Sequence, residues 1–195
     1  MNYFDYIKSQ YEESINVKTE SLKINNENIQ KAIDLLLTTF KNGKKLLIIG
    51  NGGSAADAQH LATEFMIRLS HDIVRPPLPA IALTTDTSNL TAGGNDIGFE
   101  NVFARNLQGL GNEGDTLLAI STSGNSKNVV LAVEVAKNKN IHTIGLLGGN
   151  GGKLAGIVDI PIIIPSSNVQ RIQETHLLIE HILCEAVENI LYANL

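Results

Sequence analysis

The 195-residue sequence contains a single cysteine, Cys184, so the chain cannot form an internal disulfide bond. Its fifteen lysines and arginines are scattered along the chain and are outnumbered by twenty acidic residues, which gives a net charge of −5. Nucleic-acid-binding proteins concentrate basic residues on one surface, so we expect no nucleic-acid partner. The lack of a disulfide framework favours a reducing compartment, and we expect a cytoplasmic protein.

The sequence also lacks a hydrophobic run long enough to cross a membrane. The apolar stretch over residues 154–169 is interrupted by Asp159 and by two prolines. The polar opening MNYFDYIKSQYEES has neither the basic start nor the apolar core of a signal peptide. With 43% hydrophobic residues and a mean hydropathy of +0.05, the composition is typical of one globular domain that spans residues 1–195.

The first 42 residues have the pattern of two helices. A narrow apolar stripe comes first and consists of Phe4, Ile7, Tyr11 and Ile15. After the candidate N-cap residues Asn25 and Asn26, a wider stripe follows and consists of Ile29, Ile33, Leu36, Leu37 and Phe40. A narrow stripe suits a partner helix better than a core, so residues 1–42 are predicted to contribute to an oligomer.

The remaining residues, 43–195, alternate strand-like and helical segments. Five apolar runs are predicted strands: residues 45–50, 80–84, 116–121, 143–147 and 160–165. Most of them are unbroken, which is typical of strands buried on both faces. The alternation predicts a three-layer α/β sandwich, with a five-stranded parallel sheet between helices. A long, largely buried helix over residues 169–192 is predicted to close the chain.

Ligands of such sheets bind beyond the carboxyl ends of the strands, where the first loop is Gly50-Asn51-Gly52-Gly53-Ser54-Ala55. Glycines and a following helix N-terminus suit an anion. The loop also fits the dinucleotide pattern G-x-G-x-x-A, which requires an acidic residue about 20 positions further on. The first acid after the next strand is Asp86, more than 30 residues beyond the glycines. We therefore expect no nucleotide cofactor, although a dinucleotide site and a bare structural turn stay open as alternatives.

The second loop follows the third predicted strand and is rich in hydroxyl groups. It contains Ser121, Thr122, Ser123 and Ser126, with a glycine and an asparagine between them. Hydroxyl groups at a helix N-terminus can bind a phosphate without a basic side chain. The alternative is a turn that merely caps the helix, but four hydroxyls exceed what a cap needs. The later GGNGGK at residues 148–153 lacks the spacing of an ATP-binding loop.

The third loop, residues 91–96, ends in Asn95 and Asp96. These side chains either bind sugar hydroxyls or cap the helix that follows, and the sequence favours neither.

Four polar side chains are predicted on two helices. His60 and Glu64 are four residues apart and share one helix face. Gln173 and His181 are separated by about 80° around the closing helix, so both can reach one pocket. Polar groups on a buried helix need partners. The alternatives are a solvated surface pair for the first two residues and satisfied core or interface residues for the others.

Together these motifs resemble the sugar isomerase (SIS) domain family, most closely its heptose phosphate isomerases. The resemblance covers nearly the whole chain, including the segments GNGGSAADAQHLATEF, RPPLPAIALTTDTSNLTAGGND, AISTSGNS and RIQETHLLIEHIL. It implies a flavodoxin- or Rossmann-like fold. It also implies an aldose–ketose isomerase that interconverts sedoheptulose 7-phosphate and D-glycero-D-manno-heptose 7-phosphate, the first step toward the heptoses of lipopolysaccharide core or capsule.

The resemblance also assigns residues. Ser121, Thr122, Ser123 and Ser126 would bind the phosphate. The sugar would be lined by Gly52, Gly53, Ser54, Arg68, Asn95, Asp96 and Gln173. One zinc ion per subunit would be bound by His60, Glu64, Gln173 and His181. Members form homotetramers whose active sites are shared between subunits.

The chemistry of the reaction suits these residue types. A proton moves between C1 and C2 of the sugar through an enediol, which requires a carboxylate base near the carbons and an acid or metal near the oxygens. We therefore expect Glu64 to be the base and His181 the acid. Gln170 stands where some relatives have an acidic residue, which puts a sugar contact at that position in doubt.

Two other functions are alternatives. One is a non-catalytic SIS protein of the kind that associates with a bacterial replication initiator, but that relative lacks the equivalents of Glu64 and His181. The other is a sugar-phosphate sensor, which would be joined to a helix-turn-helix module that this sequence does not contain.

Overall fold

The computed structural model describes residues 2–193 and contains one five-stranded sheet with helices on both faces. The strands are β1 Leu46–Ile49, β2 Ala80–Ala82, β3 Thr116–Ser121, β4 His142–Gly148 and β5 Ile160–Ile164. The helices are α1 Tyr3–Lys41, α2 Gly53–Met66, α3 Thr87–Asp96, α4 Val102–Leu110, α5 Lys127–Asn138 and α6 Val169–Tyr192. Short 3₁₀ turns span Phe99–Asn101 and Leu154–Gly156.

All strand pairs are parallel, and the strand order is β2-β1-β3-β4-β5. Successive residues of β1 supply two separate cores, because side chains alternate between the faces of a strand. Leu46 and Ile48 pack with α1, α2 and α6, whereas Leu47 and Ile49 pack with α4 and α5. The predicted three-layer α/β sandwich is confirmed, as are all five strands.

The prediction of two N-terminal helices was wrong, because α1 runs unbroken through residues 25 and 26. Asn25 is not a cap but a buried residue within the helix, 3% exposed. Its side-chain amide donates to the Ile163 carbonyl at 2.8 Å and accepts from the Ile163 N–H at 2.9 Å. Asn28 donates to the Pro161 carbonyl at 2.7 Å. The long helix therefore covers the outer edge of β5, which would otherwise expose unpaired backbone groups.

Helix α6 has the bounds that the sequence predicts, but only one of its faces is buried. Leu183 and Cys184 are fully buried, whereas Leu178 and Ile182 are 40% and 37% exposed in the single chain. No helix within residues 2–193 is long and apolar enough to span a membrane.

Candidate active site

The glycine loop after β1 brings α2 against α6. Gly52 has a φ of +57°, a conformation that favours glycine, and it precedes the first turn of α2. A Cβ atom added at Gly53 would overlap the amide of Gln173 on α6. Ser54, in the first turn of α2, is 3% exposed. It packs closely against Gly50, because a Cβ atom added at Gly50 would lie 2.5 Å from the carbonyl oxygen of Ser54. Of the predicted sugar-lining residues 52–54, Gly53 thus lies directly against Gln173.

His60 and Glu64 of α2 meet His181 of α6. The Nε2 atoms of the two histidines lie 2.9 Å apart, and their ring planes are inclined at 64° with centroids 5.2 Å apart. A carboxylate oxygen of Glu64 lies 3.5 Å from Nε2 of His60. The His60 side chain is 44% exposed and the Glu64 side chain 16% exposed, so this cluster is open to a ligand. The structure therefore brings His181 of α6 to the His60–Glu64 pair of α2, whereas Gln173 contacts Gly53, seven residues before His60.

Behind this cluster lie three further titratable groups, Asp57 on α2 and His176 and Glu180 on α6. Glu180, next to His181, is fully buried, and burial together with the charge of Asp57 raises its pKa to about 8. Burial also raises the pKa of Asp57 on α2. His176 is fully buried with its Nε2 donating to the Leu147 carbonyl at 3.0 Å, and burial lowers its pKa to about 4. The acidic residues here are thus held toward the neutral form, and His176 is neutral at pH 7.

The hydroxyl loop lies after β3, the strand that pairs with β1. The Ser121 and Ser126 hydroxyls are 3.1 Å apart, and the Ser126 side chain makes no capping hydrogen bond to α5. The cap alternative for Ser126 is therefore wrong, and its hydroxyl is directed toward Ser121. A cleft of about 210 Å³ beside the loop is lined by Thr122, Ser123, Gly148, Gly149, Asn150, Ser166, Ser167, Val169 and Ile172.

A reciprocal amide pair joins the glycine loop to the hydroxyl loop. Asn51 and Asn128 each donate their side-chain amide to the other, at 2.9 and 2.8 Å. Asn51 lies within the glycine loop and Asn128 in the first turn of α5. This contact was not predicted, because asparagines 77 residues apart give no periodic signal in a sequence. It fixes the distance between the predicted phosphate site and α2.

Asn95 and Asp96 do not cap a following helix. They form the last residues of α3, whose N-cap is Asp86, and their side chains bond to each other at 2.7 Å. The predicted loop over residues 91–96 is thus helical. Both side chains are exposed, and among residues 2–193 no hydrogen bond joins them to α2 or α6. Arg68 is also exposed and lies beyond the end of α2, since the helix ends at Met66.

The predicted zinc ligands have suitable chemistry, although no three His, Cys, Asp or Glu side chains within residues 2–193 are gathered closely enough to hold a metal ion. In a tetrahedral zinc site with ligand distances of about 2.0–2.1 Å, neighbouring ligand atoms are about 3.3 Å apart from each other. The His60–Glu64 distance of 3.5 Å is close to this value, and the His60–His181 distance of 2.9 Å is slightly short of it. A slight separation of the two imidazoles would make room for an ion, whereas the Gln173 amide lies against Gly53, about two helical turns before His60 on α2.

Comparison with known proteins decides the family. A family model described as the SIS domain matches residues 10–148. The chain belongs to the SIS domain family. A phosphoheptose isomerase of Aneurinibacillus thermoaerophilus is 50% identical over 196 residues, which cover 97% of this chain and 96% of that protein.

Two solved phosphoheptose isomerases have the same SIS fold. The structure from Neisseria gonorrhoeae is 42% identical with a TM-score of 0.90, and the match covers 96% of this chain and 100% of that one. The structure from Francisella tularensis is 41% identical with a TM-score of 0.92 and covers 97% and 100%. The similarity to these relatives therefore extends over the whole SIS domain, including the helices that carry His60 and His181.

Proposed function

We propose that this protein is an aldose–ketose isomerase that converts sedoheptulose 7-phosphate to D-glycero-D-manno-heptose 7-phosphate. The observation that carries the proposal is its 50% identity, over nearly the full length of both chains, to a phosphoheptose isomerase. The geometry agrees, because a carboxylate and two imidazoles gather between α2 and α6, and the Asn51–Asn128 amide pair joins the glycine loop before α2 to the hydroxyl loop.

Glu64 has the chemistry of the base in this reaction. Its carboxylate removes a proton from C1 of the ketose, which forms an enediol, and returns a proton to C2. The His181 imidazole moves the compensating proton, by protonating the C2 oxygen and receiving the proton of the C1 hydroxyl. The atoms and electrons balance within the sugar, so the step requires no external oxidant.

The phosphate is bound by the hydroxyl groups of Ser121, Thr122, Ser123 and Ser126 with the N-terminus of α5. Hydroxyl groups and helix N–H groups neutralise little of the phosphate charge, but they donate directed hydrogen bonds to the phosphate oxygens. The sugar chain lies along Gly52, Gly53 and Ser54 and is contacted by Gln173. Arg68, Asn95 and Asp96, which are exposed in the single chain, contribute to the sugar site from its outer side.

Zinc would be held by His60, Glu64, Gln173 and His181 and would polarise the two reacting sugar oxygens. A Glu64 carboxylate bound to zinc would be a weaker base than a free one.

The exposed apolar face of α1 supports a homotetramer. Tyr3, Phe4, Tyr11 and Ile15 are between 63% and 73% exposed. Aromatic and aliphatic groups clustered on one helix at this exposure are typical of an interface between copies of a chain. In a site shared between subunits, the exposed residues Arg68, Asn95 and Asp96 contact the neighbouring copy of the chain. We place the enzyme in the cytoplasm, where its product serves as a heptose precursor of lipopolysaccharide core or capsule.

The proposal is tested by incubating the purified protein with sedoheptulose 7-phosphate in D₂O and following the sugar by NMR. We expect an aldoheptose 7-phosphate that carries deuterium at C2, because the proton returned to C2 exchanges with solvent. No aldoheptose, with or without added zinc, would refute the isomerase function and favour the non-catalytic SIS proteins.

A further inference from the structure

The irregular segment between α2 and β2, residues 67–79, contains a fully buried ion pair with α6. Nε of Arg75 lies 2.6 Å from Oε1 of Glu188, and the two side chains are 0% and 1% exposed. The same carboxylate oxygen accepts a hydrogen bond from the Leu69 N–H at 3.2 Å. Glu188 therefore fixes the segment to α6 at two points.

The remaining nitrogens of the Arg75 guanidinium bind the end of α2. Nη2 donates to the backbone carbonyl of Glu64 at 2.7 Å, and Nη1 donates to that of Phe65 at 2.8 Å. Both residues are in the last turn of α2, where carbonyl groups have no partner within the helix. Arg75 therefore caps the helix at the very residue whose side chain is the proposed base.

Glu188, the acidic partner of Arg75, lies on the same helix as His181. Glu188 lies seven residues after His181 on α6, which is about two helical turns and nearly the same side of the helix. The guanidinium thus spans from the backbone of Glu64 to the helix that carries His181. The planar fork of arginine serves a carboxylate and two carbonyls at once, which the single ammonium of lysine does not.

We propose that Arg75 and Glu188 are positioning residues that hold Glu64 on α2 in register with His181 on α6. Neither side chain contacts the cluster of His60, Glu64 and His181 through a side-chain hydrogen bond. Their effect is on the relative placement of the two helices. The inference rests on the proposed isomerase function, for which Glu64 and His181 are the reacting groups.

A purely structural ion pair and a positioning ion pair predict different results for an apolar replacement. A buried ion pair can often be replaced by apolar residues of similar volume without loss of stability. The double variant Arg75→Met/Glu188→Leu removes both charges but also removes the donors to the Glu64 and Phe65 carbonyls. A structural pair predicts normal turnover in the folded variant. A positioning pair predicts a lower kcat, because misplacement by about 1 Å can lower a rate on the order of 100-fold.

The experiment compares this double variant, Arg75→Lys and a control with the wild type. The control, Lys45→Met/Asp115→Asn, removes another largely buried ion pair, with Nζ and Oδ2 2.5 Å apart, between the residues that directly precede β1 and β3. Thermal unfolding by circular dichroism establishes that each variant is folded at the assay temperature. Steady-state kinetics with sedoheptulose 7-phosphate then gives kcat and KM separately.

We expect kcat to fall on the order of 100-fold in the double variant and in Arg75→Lys, with KM within about threefold of wild type. The control should keep its kcat within about threefold. A folded double variant or Arg75→Lys variant with wild-type kcat would overturn the proposal. If the double variant does not fold, Arg75→Lys, which keeps a cation opposite Glu188, decides the question.

Amide hydrogen exchange separates this proposal from the proposed function. We expect faster exchange in residues 64–69 of Arg75→Lys than in the wild type, and unchanged exchange there would overturn the proposal. A wild-type protein without isomerase activity would refute the proposed function, while the exchange result would still decide whether Arg75 holds the end of α2.

Discussion

The imidazole of His181 lies 2.9 Å from that of His60, although 121 residues separate them in the chain. One histidine is on the helix that follows the first strand, and the other is on the last helix. Both helices pack on the same face of the sheet, where α2 and α6 are in direct contact. The sheet therefore assembles a site from the two ends of the α/β region, and Glu64 is part of it because it lies one turn beyond His60.

Replacement of Asn25 tests the role of α1 as the cover of the sheet edge. Asn25→Ala should lower the free energy of unfolding by about 2–4 kcal/mol, because the partly buried N–H and C=O of Ile163 both lose their partner. Asn26→Ala is the matched control, since Asn26 is exposed on the same helix. Denaturant unfolding measures both variants. Equal stabilities of the two would show that the β5 edge does not depend on Asn25.

The strands were predictable because each is an unbroken apolar run, and burial of β1 on both faces is the physical reason for that pattern. Helix α1 was mispredicted for an equally physical reason. Asparagine is favoured at N-caps by its short polar side chain, and nothing near Asn25 in the sequence reveals that Ile163 will supply its partner. A tertiary hydrogen bond over 138 positions overrides the local preference.

The candidate site was predictable where spacing along a helix determines geometry. His60 and Glu64 share a face because they are one turn apart, and the structure keeps that pair at 3.5 Å. The Asn51–Asn128 pair and the Arg75–Glu188 pair were not predicted, because each joins residues that only the folded topology brings together. Asn95 and Asp96 were predicted in a loop that follows the second strand, yet they lie within α3.

We expect substitutions in the hydroxyl loop to weaken substrate binding and to leave the stability of the protein nearly unchanged. Ser121→Ala and Ser126→Ala should each raise KM for sedoheptulose 7-phosphate by about 10- to 100-fold, since a hydrogen bond to a charged group contributes about 1.5–3 kcal/mol. The melting temperature of Ser126→Ala should change little, because its side chain does not cap α5. Thr38→Ala, which removes an exposed hydroxyl bonded within α1, is the control. A less stable Ser126→Ala protein with an unchanged KM would instead indicate a helix cap.

The buried carboxyl group of Glu180 predicts a loss of stability at alkaline pH. Its pKa is about 8 in the folded protein and 4.5 as the unperturbed value, so the folded state binds the proton more tightly. This contribution to stability is fully present below pH 4.5 and is lost as the pH rises toward and through 8. Glu180→Gln, which stays neutral, should therefore be more stable than the wild type at pH 9.

Thermal unfolding of the wild type and of Glu180→Gln between pH 5 and pH 9 measures this difference. The stability advantage of the variant should grow over that range. A constant difference across it would show that Glu180 does not change its protonation on folding.

Zinc binding is predicted to depend on the residues that meet between α2 and α6. Calorimetric titration of the metal-free protein with zinc chloride should give one ion per chain, and His60→Ala should weaken binding on the order of 100-fold or more. His142→Ala replaces an exposed histidine at the start of β4 and should bind as the wild type does. Equal zinc affinity in all three proteins would place the metal elsewhere.

The most direct test of the account is turnover of sedoheptulose 7-phosphate by Glu64→Gln and by His181→Ala, measured beside the wild type and with metal content determined for each. Both variants should keep the wild-type circular dichroism spectrum while kcat falls by about 10³-fold or more, because each loses a proton-transfer group. Full activity in both folded variants would contradict the assignment of Glu64 as the base and His181 as the acid.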